Sequence, residues 1–275
     1  GGEESQIGQE QTPEEYIQNL VEVFRSVRDV LTDDGTLWVN IGDSYYNYRP
    51  GKGQALPKQT VSKTKQDLPD KCAKRGNKLE GLKEKDLIGI PWMLAFALRA
   101  DGWYLRQDII WHKPNPMPES VKDRCTKSHE YIFLLSKNRK YYYNNEAIKE
   151  PVKQDWGTRD RTKGKYHNPG TGLVPHSGLS KSYDRKNKRD VWTVTNKPYK
   201  GAHFAVYPPD LIEPCIKAGS EEGDIVLDPF MGSGTTALVS KSLNRHYIGC
   251  ELHEDYGRLI QKRLSEKSFA RLKLE

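Results

Sequence analysis

Five residues near the end of the chain have the types and spacing to hold a nucleotide-like ligand. Residues 226–236 read VLDPFMGSGTT, an apolar run, an acid, two glycines and then hydroxyl residues suited to open a helix. On this pattern Asp228 ends a strand. Gly232 and Gly234 allow a tight turn and close backbone approach to a ligand. Thr235 starts a helix whose free N–H groups face the turn, a geometry that holds a carboxylate or phosphate. Glu251 closes the stretch YIGCE about one βα unit later, where an acid can accept both hydroxyls of a ribose. The spacing is neither GxGxxG nor GxxxxGK[ST], which disfavours a nicotinamide dinucleotide and an NTPase.

The elements that must position this turn alternate helix and strand. TPEEYIQNLVEVFRSVRDVLTDDG predicts a helix with Thr12 as N-cap, Pro13 in its first turn and Glu15 where a capping box needs it. Tyr16, Ile17, Leu20, Phe24, Val27 and Leu31 form its apolar stripe. Strands are expected at Thr36 to Gly42, from Trp103 into a proline-broken loop, and at His129 to Lys137, with a helix at Ile90 to Gly102. Order returns after residue 200 as helix, strand, helix, strand, helix. Such alternation predicts an α/β fold, a mostly parallel, doubly wound sheet with helices on both faces.

Charge is segregated. Residues 1–46 hold 10 acidic and 2 basic residues, net −8, whereas residues 151–200 hold 12 basic and 4 acidic, net +8. Residues 47–86 hold 11 basic and 5 acidic, net +6, and read as a long basic loop. The whole chain carries +7, which favours a polyanionic partner. The 151–200 stretch mixes Lys and Arg with Trp156, Tyr166, Tyr183 and Trp192, a composition suited to phosphates and bases. Its candidate contacts are Arg159, Arg161, Lys163, Lys165, Arg185, Lys186, Lys188 and Arg189; the bland alternative is a basic linker. Cys72, Cys125, Cys215 and Cys250 are scattered and read as free thiols, and no Cys/His cluster is spaced for a metal. Cys215 lies in an apolar helical stripe and reads as a core residue. No apolar run reaches ~18 residues and no secretory leader is evident, so the expected setting is cytoplasmic, without a membrane span.

Asp43 and Ser44 stand at the C-terminal end of a predicted strand, where α/β proteins bind ligands. They are candidate contacts for a cofactor or base, with helix capping the alternative for Asp43. WHKPNPMPES, residues 111–120, leaves another strand end and is stiffened by prolines.

LDPFMGSGTT resembles the S-adenosylmethionine loop of DNA methyltransferases that modify exocyclic amino groups. HFAVYPPDLIEPCI resembles the segment just before that loop in the permuted, β-type subgroup. DGTLWVNIGDSY, the stretch from Gly89 to Ser120 and HEYIFLLSKNRKYYYN follow in the order of cytosine-N4 enzymes of restriction–modification systems. The resemblance implies a Rossmann-like methyltransferase fold, circularly permuted, with long basic loop insertions. It implies a catalytic half at 1–143, a target-recognition region at 144–200 and a cofactor half at 201–275. Asp228, Phe230, Gly232, Gly234 and Glu251, with His203 and Pro208, would hold S-adenosylmethionine. Trp111 or His112 would wall the base pocket, and Lys113 would meet phosphate; the alternative is an ordinary strand-to-loop exit with one aromatic packed in the core. Expected partners are double-stranded DNA and a cognate restriction endonuclease in a prokaryotic or phage-encoded system; family members often pair as dimers.

Amino-group methylation needs no covalent enzyme nucleophile. Family enzymes present [Ser/Asp/Asn]-Pro-Pro-[Tyr/Phe/Trp], whose first residue accepts the amino N–H and whose ring stacks on the flipped base. Here the Pro-Pro pair is Pro208-Pro209, in YPPD on the cofactor side. The catalytic loop is therefore expected upstream of Gly1; the alternative is an inactive homologue that binds cofactor and nucleic acid. Adenine-N6 methylation stays open as the alternative reaction, and RNA methylation is a weaker one.

Overall fold

The computed structural model describes residues 6–47, 79, 81–152, 184–196 and 207–265. Helix α1 spans Pro13–Val30. Its cap forms as the sequence predicts: the Thr12 side chain accepts from the Glu15 N–H at 3.1 Å. The Glu15 carboxylate reaches one residue further back than a standard capping box, to the Gln11 N–H at 3.1 Å. Ile17, Leu20, Val21, Phe24 and Val27 make the buried face. Strand β1 is Thr36–Ile41, helix α2 Ile90–Ala100, strand β2 Tyr104–His112 and strand β3 His129–Ser136. Short strands β4 (Glu150–Pro151) and β5 (Arg185–Lys186) pair with each other. Strand β6 is Val191–Thr193, and helix α3 is Pro209–Gly219. The last unit is β7 (Ile225–Asp228), α4 (Thr235–Ser242), β8 (His246–Gly249) and α5 (Glu254–Leu264).

The main sheet has the order β1-β3-β2-β6. β3 lies between β1 and β2 and runs against both, while β6 runs parallel to β2. The expected mostly parallel pairing therefore needs correction. β1, β2 and β6 do point one way, but two of the three ladders in this sheet are antiparallel. The reason lies in the chain path. The β1–α2–β2 crossover keeps its two strands parallel but leaves a strand's width between them. The chain then turns back through residues 113–128, and β3 fills that space. A separate parallel pair, β7 and β8, completes the described strands.

Helices cover both faces of the main sheet. α1 and α2 pack on one face, where Leu20, Phe24, Leu94 and Leu98 meet Val39, Phe133 and Leu135. On the other face Leu211 and Cys215 of α3 meet Ile109, Trp111, Ile132 and Trp192. β3 is buried on both sides, and Ile132 through Ser136 are all nearly inaccessible to solvent. Its FLL run reflects that double burial rather than alternation. The 144–200 region is tied to this core by β6, because Trp192 is buried among the α3 residues. Among the described residues no helix is long and apolar enough to cross a membrane.

Candidate functional site

A cavity of about 520 Å³ opens at the C-terminal ends of β7 and β8. Its floor is the β7–α4 turn, Pro229–Ser233 with Thr235. One wall is Cys250 to His253 with Tyr256, and Gln6, Ile7 and Tyr207 close the rest. Gly232 and Gly234 have φ of 53° and 80°, a left-handed backbone that disfavours side chains. A Cβ on Gly234 would also lie 2.9 Å from the Ile260 side chain of α5, so this turn has no room for one.

The two acids knit the turn together. Asp228 ends β7; its Oδ1 accepts the Phe230 N–H at 2.9 Å. Its Oδ2 accepts the Thr236 hydroxyl at 2.5 Å and lies 3.2 Å from the Tyr207 hydroxyl. Glu251 Oε2 accepts the Gly232 N–H at 2.8 Å, and Oε1 accepts the His253 N–H at 2.9 Å. A carboxylate has about four lone-pair positions, so Glu251 keeps acceptor capacity toward the cavity. Phe230 is half exposed over the opening and meets Phe24 of α1 edge-on at 6.3 Å. Thr235 is buried.

Of the residues expected here, Phe230, Gly232, Thr235 and Glu251 line the cavity. Asp228 and Gly234 shape the turn beneath it. Pro208 sits at the N-cap of α3. His203 lies outside the described residues.

Two contributors carry no local sequence signal. Tyr207 is one. Arg263 is the other: from α5 its Nη1 donates to the Ser233 carbonyl at 2.6 Å and to the Ser233 and Thr235 hydroxyls at 2.8 and 3.2 Å. Gln6 and Ile7 were likewise absent from the expected set.

The candidate base-side residues have different surroundings. Asp43 Oδ1 accepts the N–H groups of Ser44, Gly89 and Ile90 at 2.9, 3.0 and 3.1 Å, and so caps α2. Ser44 is exposed. Trp111 is only 3% exposed and its indole N–H donates to the Val194 carbonyl at 2.9 Å. It is a wall of the core. His112 Nδ1 contacts the Thr193 hydroxyl at 3.2 Å. Lys113 Nζ stands 4.2 Å from the centre of the Trp111 ring and pairs with Glu130.

Asn40 also donates to Glu130, at 3.2 Å. Lys127 donates to the Asp43 carbonyl at 3.0 Å, and partial burial pushes its ammonium pKa down. These residues gather where β1 and β2 end.

The basic candidates divide. Arg159, Arg161, Lys163 and Lys165 lie outside the described residues. Arg189 pairs with Glu150 at 2.7 Å and Lys186 reaches it at 4.0 Å. The hydrogen bond from Arg189 holds the Glu150 carboxyl below its ordinary range. Arg185 donates to the Lys149 carbonyl at 2.6 Å, and Lys188 lies 4.9 Å from the centre of the Trp192 ring.

A family profile described as DNA methylase, of the N6/N4 class, matches residues 1–262. The Type II methyltransferase M.SmaI of Serratia marcescens is 47% identical over 268 residues, 96% of this chain and 78% of that protein. M.XycI of Xanthomonas campestris pv. cyanopsidis is 46% identical over 96% of this chain and 76% of its own length. Among solved structures, the PvuII DNA methyltransferase (cytosine-N4-specific) superposes with a TM-score of 0.61 at 16% identity, covering 98% of this chain and 79% of that one. A DNA modification methylase of Thermus thermophilus, complexed with S-adenosyl-L-methionine, gives 0.55 at 21%, covering 94% and 78%. The structures establish the Rossmann-like fold, and the profile and the close relatives establish descent: this chain belongs to the N6/N4 DNA methylase family.

Proposed function

We propose that this DNA methyltransferase moves a methyl group from S-adenosylmethionine to an exocyclic amino group of a flipped base in double-stranded DNA, with cytosine N4 as the acceptor. The observation that carries the cofactor reading is the cavity at the ends of β7 and β8, with Glu251 on its wall. Its size falls within the range of about 300–1,000 Å³ usual for small-molecule sites. Its chemistry also suits the ligand. Glu251 has lone pairs left for ribose hydroxyls, Phe230, Met231 and Leu252 offer apolar surface, and Thr235 begins α4 beside the turn. The bound cofactor supplies a methyl group activated by a positively charged sulfur. Glu251 and the β7–α4 turn would hold and orient that ligand.

The order of segments shared with cytosine-N4 enzymes supports the acceptor, as does a fold shared with a protein described as cytosine-N4-specific. The basic 151–200 stretch and Lys113 are proposed to meet the DNA backbone. The Arg189–Glu150 pair is surface-exposed, so phosphate can displace it at small cost. Relatives named as Type II methyltransferases support a place beside a cognate restriction endonuclease in the cytoplasm of a prokaryote. The test is to incubate the full-length protein with duplex DNA and methyl-labelled cofactor, then digest to nucleosides. Labelled N4-methylcytosine is expected; label in N6-methyladenine alone would overturn the acceptor, and no label would overturn the activity.

A further inference from the structure

Tyr207 stands between His203 and Pro208 in the segment before α3, and its side chain reaches the centre of the cofactor turn. Its hydroxyl lies 2.6 Å from Thr236 Oγ1 and 3.2 Å from Asp228 Oδ2. Thr236 Oγ1 in turn lies 2.5 Å from the same carboxylate oxygen. Proton counting gives the chain a direction. An ionised carboxylate only accepts, so the Thr236 hydroxyl spends its one proton on the close Asp228 contact. Its oxygen is then free to accept, and the Tyr207 proton goes to it. The result is a relay from Tyr207 to Thr236 to Asp228, in which each bond polarises the next. Burial, and then the Asp228 charge, push the Tyr207 phenol pKa up, so the hydroxyl keeps its proton. Thr236 is buried, and Tyr207 itself lines the cavity.

Three separate stretches of chain are joined by this relay. Tyr207 precedes α3, Asp228 ends β7 and Thr236 lies in the first turn of α4. Asp228 also fixes the turn through its bond to the Phe230 N–H. Without the Tyr207 hydroxyl, Thr236 loses its donor and the turn loses its link to the segment before α3.

We propose that Tyr207 is a positioning residue for S-adenosylmethionine: its hydroxyl locks Thr236 and Asp228, and so sets the floor of the cofactor cavity before ligand arrives. This rests on the cofactor reading above. An aromatic ring alone would fill the same space; the hydroxyl is what the proposal requires.

The experiment is a calorimetric titration of S-adenosylmethionine into the full-length protein and its Tyr207→Phe variant, with methyl-transfer kinetics alongside. The variant is expected to bind about 2- to 13-fold more weakly, the range for losing a hydrogen bond between neutral groups. KM for the cofactor should rise by a similar factor, with a much smaller change in kcat and in KM for DNA. A purely structural role would instead lower the thermal midpoint, lower kcat and raise both KM values together, and that outcome would overturn the proposal.

Thr236 gives a second route. Thr236→Ser keeps the relay and should bind near the wild-type level. Thr236→Val should lose affinity, and Tyr207→Phe should add little to that loss. Equal affinity in wild type and Tyr207→Phe would overturn the inference alone. A wild-type protein that failed to bind the cofactor would overturn the functional reading with it.

Discussion

The ends of β7 and β8 and the ends of β1 and β2 are both places where an α/β sheet presents ligand-binding groups, yet they differ in kind. At the first, the candidate residues surround a cavity: Phe230, Gly232, Thr235 and Glu251 line it, while Asp228 and Gly234 shape its floor. At the second, three of the candidates also have contacts within the fold. Asp43 caps α2, Trp111 fills the core and Lys113 pairs with Glu130. What separates the two is the surroundings of the acid: Glu251 lines the cavity, whereas Asp43 Oδ1 holds three backbone N–H groups at the start of α2.

The largest test of this contrast is Trp111→Ala. If Trp111 belongs to the core, the variant should lose about 3–5 kcal/mol of stability, the usual cost of deleting a buried Trp ring. Urea unfolding measures it. A variant as stable as wild type but unable to act on DNA would return Trp111 to the base pocket and break the comparison.

Asp43 comes next. Asp43→Ala should cost about 1–2 kcal/mol through the lost helix cap. Asp43→Asn keeps an acceptor oxygen, and should restore most of that stability and keep methyl transfer. If Asp43→Asn instead unfolds like wild type but fails in catalysis, Asp43 acts in the reaction as well as capping α2.

The smallest expected effect is at Glu150. Its carboxyl pKa is lowered in the folded protein, first by the hydrogen bond from Arg189. The sign follows: the contribution is present above the ordinary carboxylate range and is lost as pH falls through the lowered folded value. Thermal midpoints of wild type and Glu150→Gln should therefore differ slightly at neutral pH and converge in acid. A gap that widened in acid would remove the Arg189–Glu150 pair as its cause. The pair is exposed, so added salt should also shrink the difference.

The same contrast explains what could be read from the sequence. The Asp228–Thr236 turn was legible because its requirements are local: glycines at left-handed φ, an acid at a strand end, hydroxyls opening a helix. The α1 cap was legible for the same reason. Strand pairing was not, because nothing within β3 records that it would run between β1 and β2. Long-range partners were equally hidden. Trp111 meets Val194 across 83 positions, and Arg263 reaches back 30 to Ser233. Tyr207 is the sharpest case, since the sequence places an aromatic residue before Pro208 but says nothing of a hydroxyl aimed at Asp228. Contacts that depend on a neighbour in space were hidden, whereas local geometry that depends on a neighbour in sequence could be read.

The central claim is that the cavity walled by Glu251 holds S-adenosylmethionine. Isothermal titration of that cofactor into the full-length protein and its Glu251→Ala variant tests it most directly. Saturable one-to-one binding in the wild type, with heat reduced to the dilution level in the variant, is the predicted result. Equal affinity in the two proteins would contradict it.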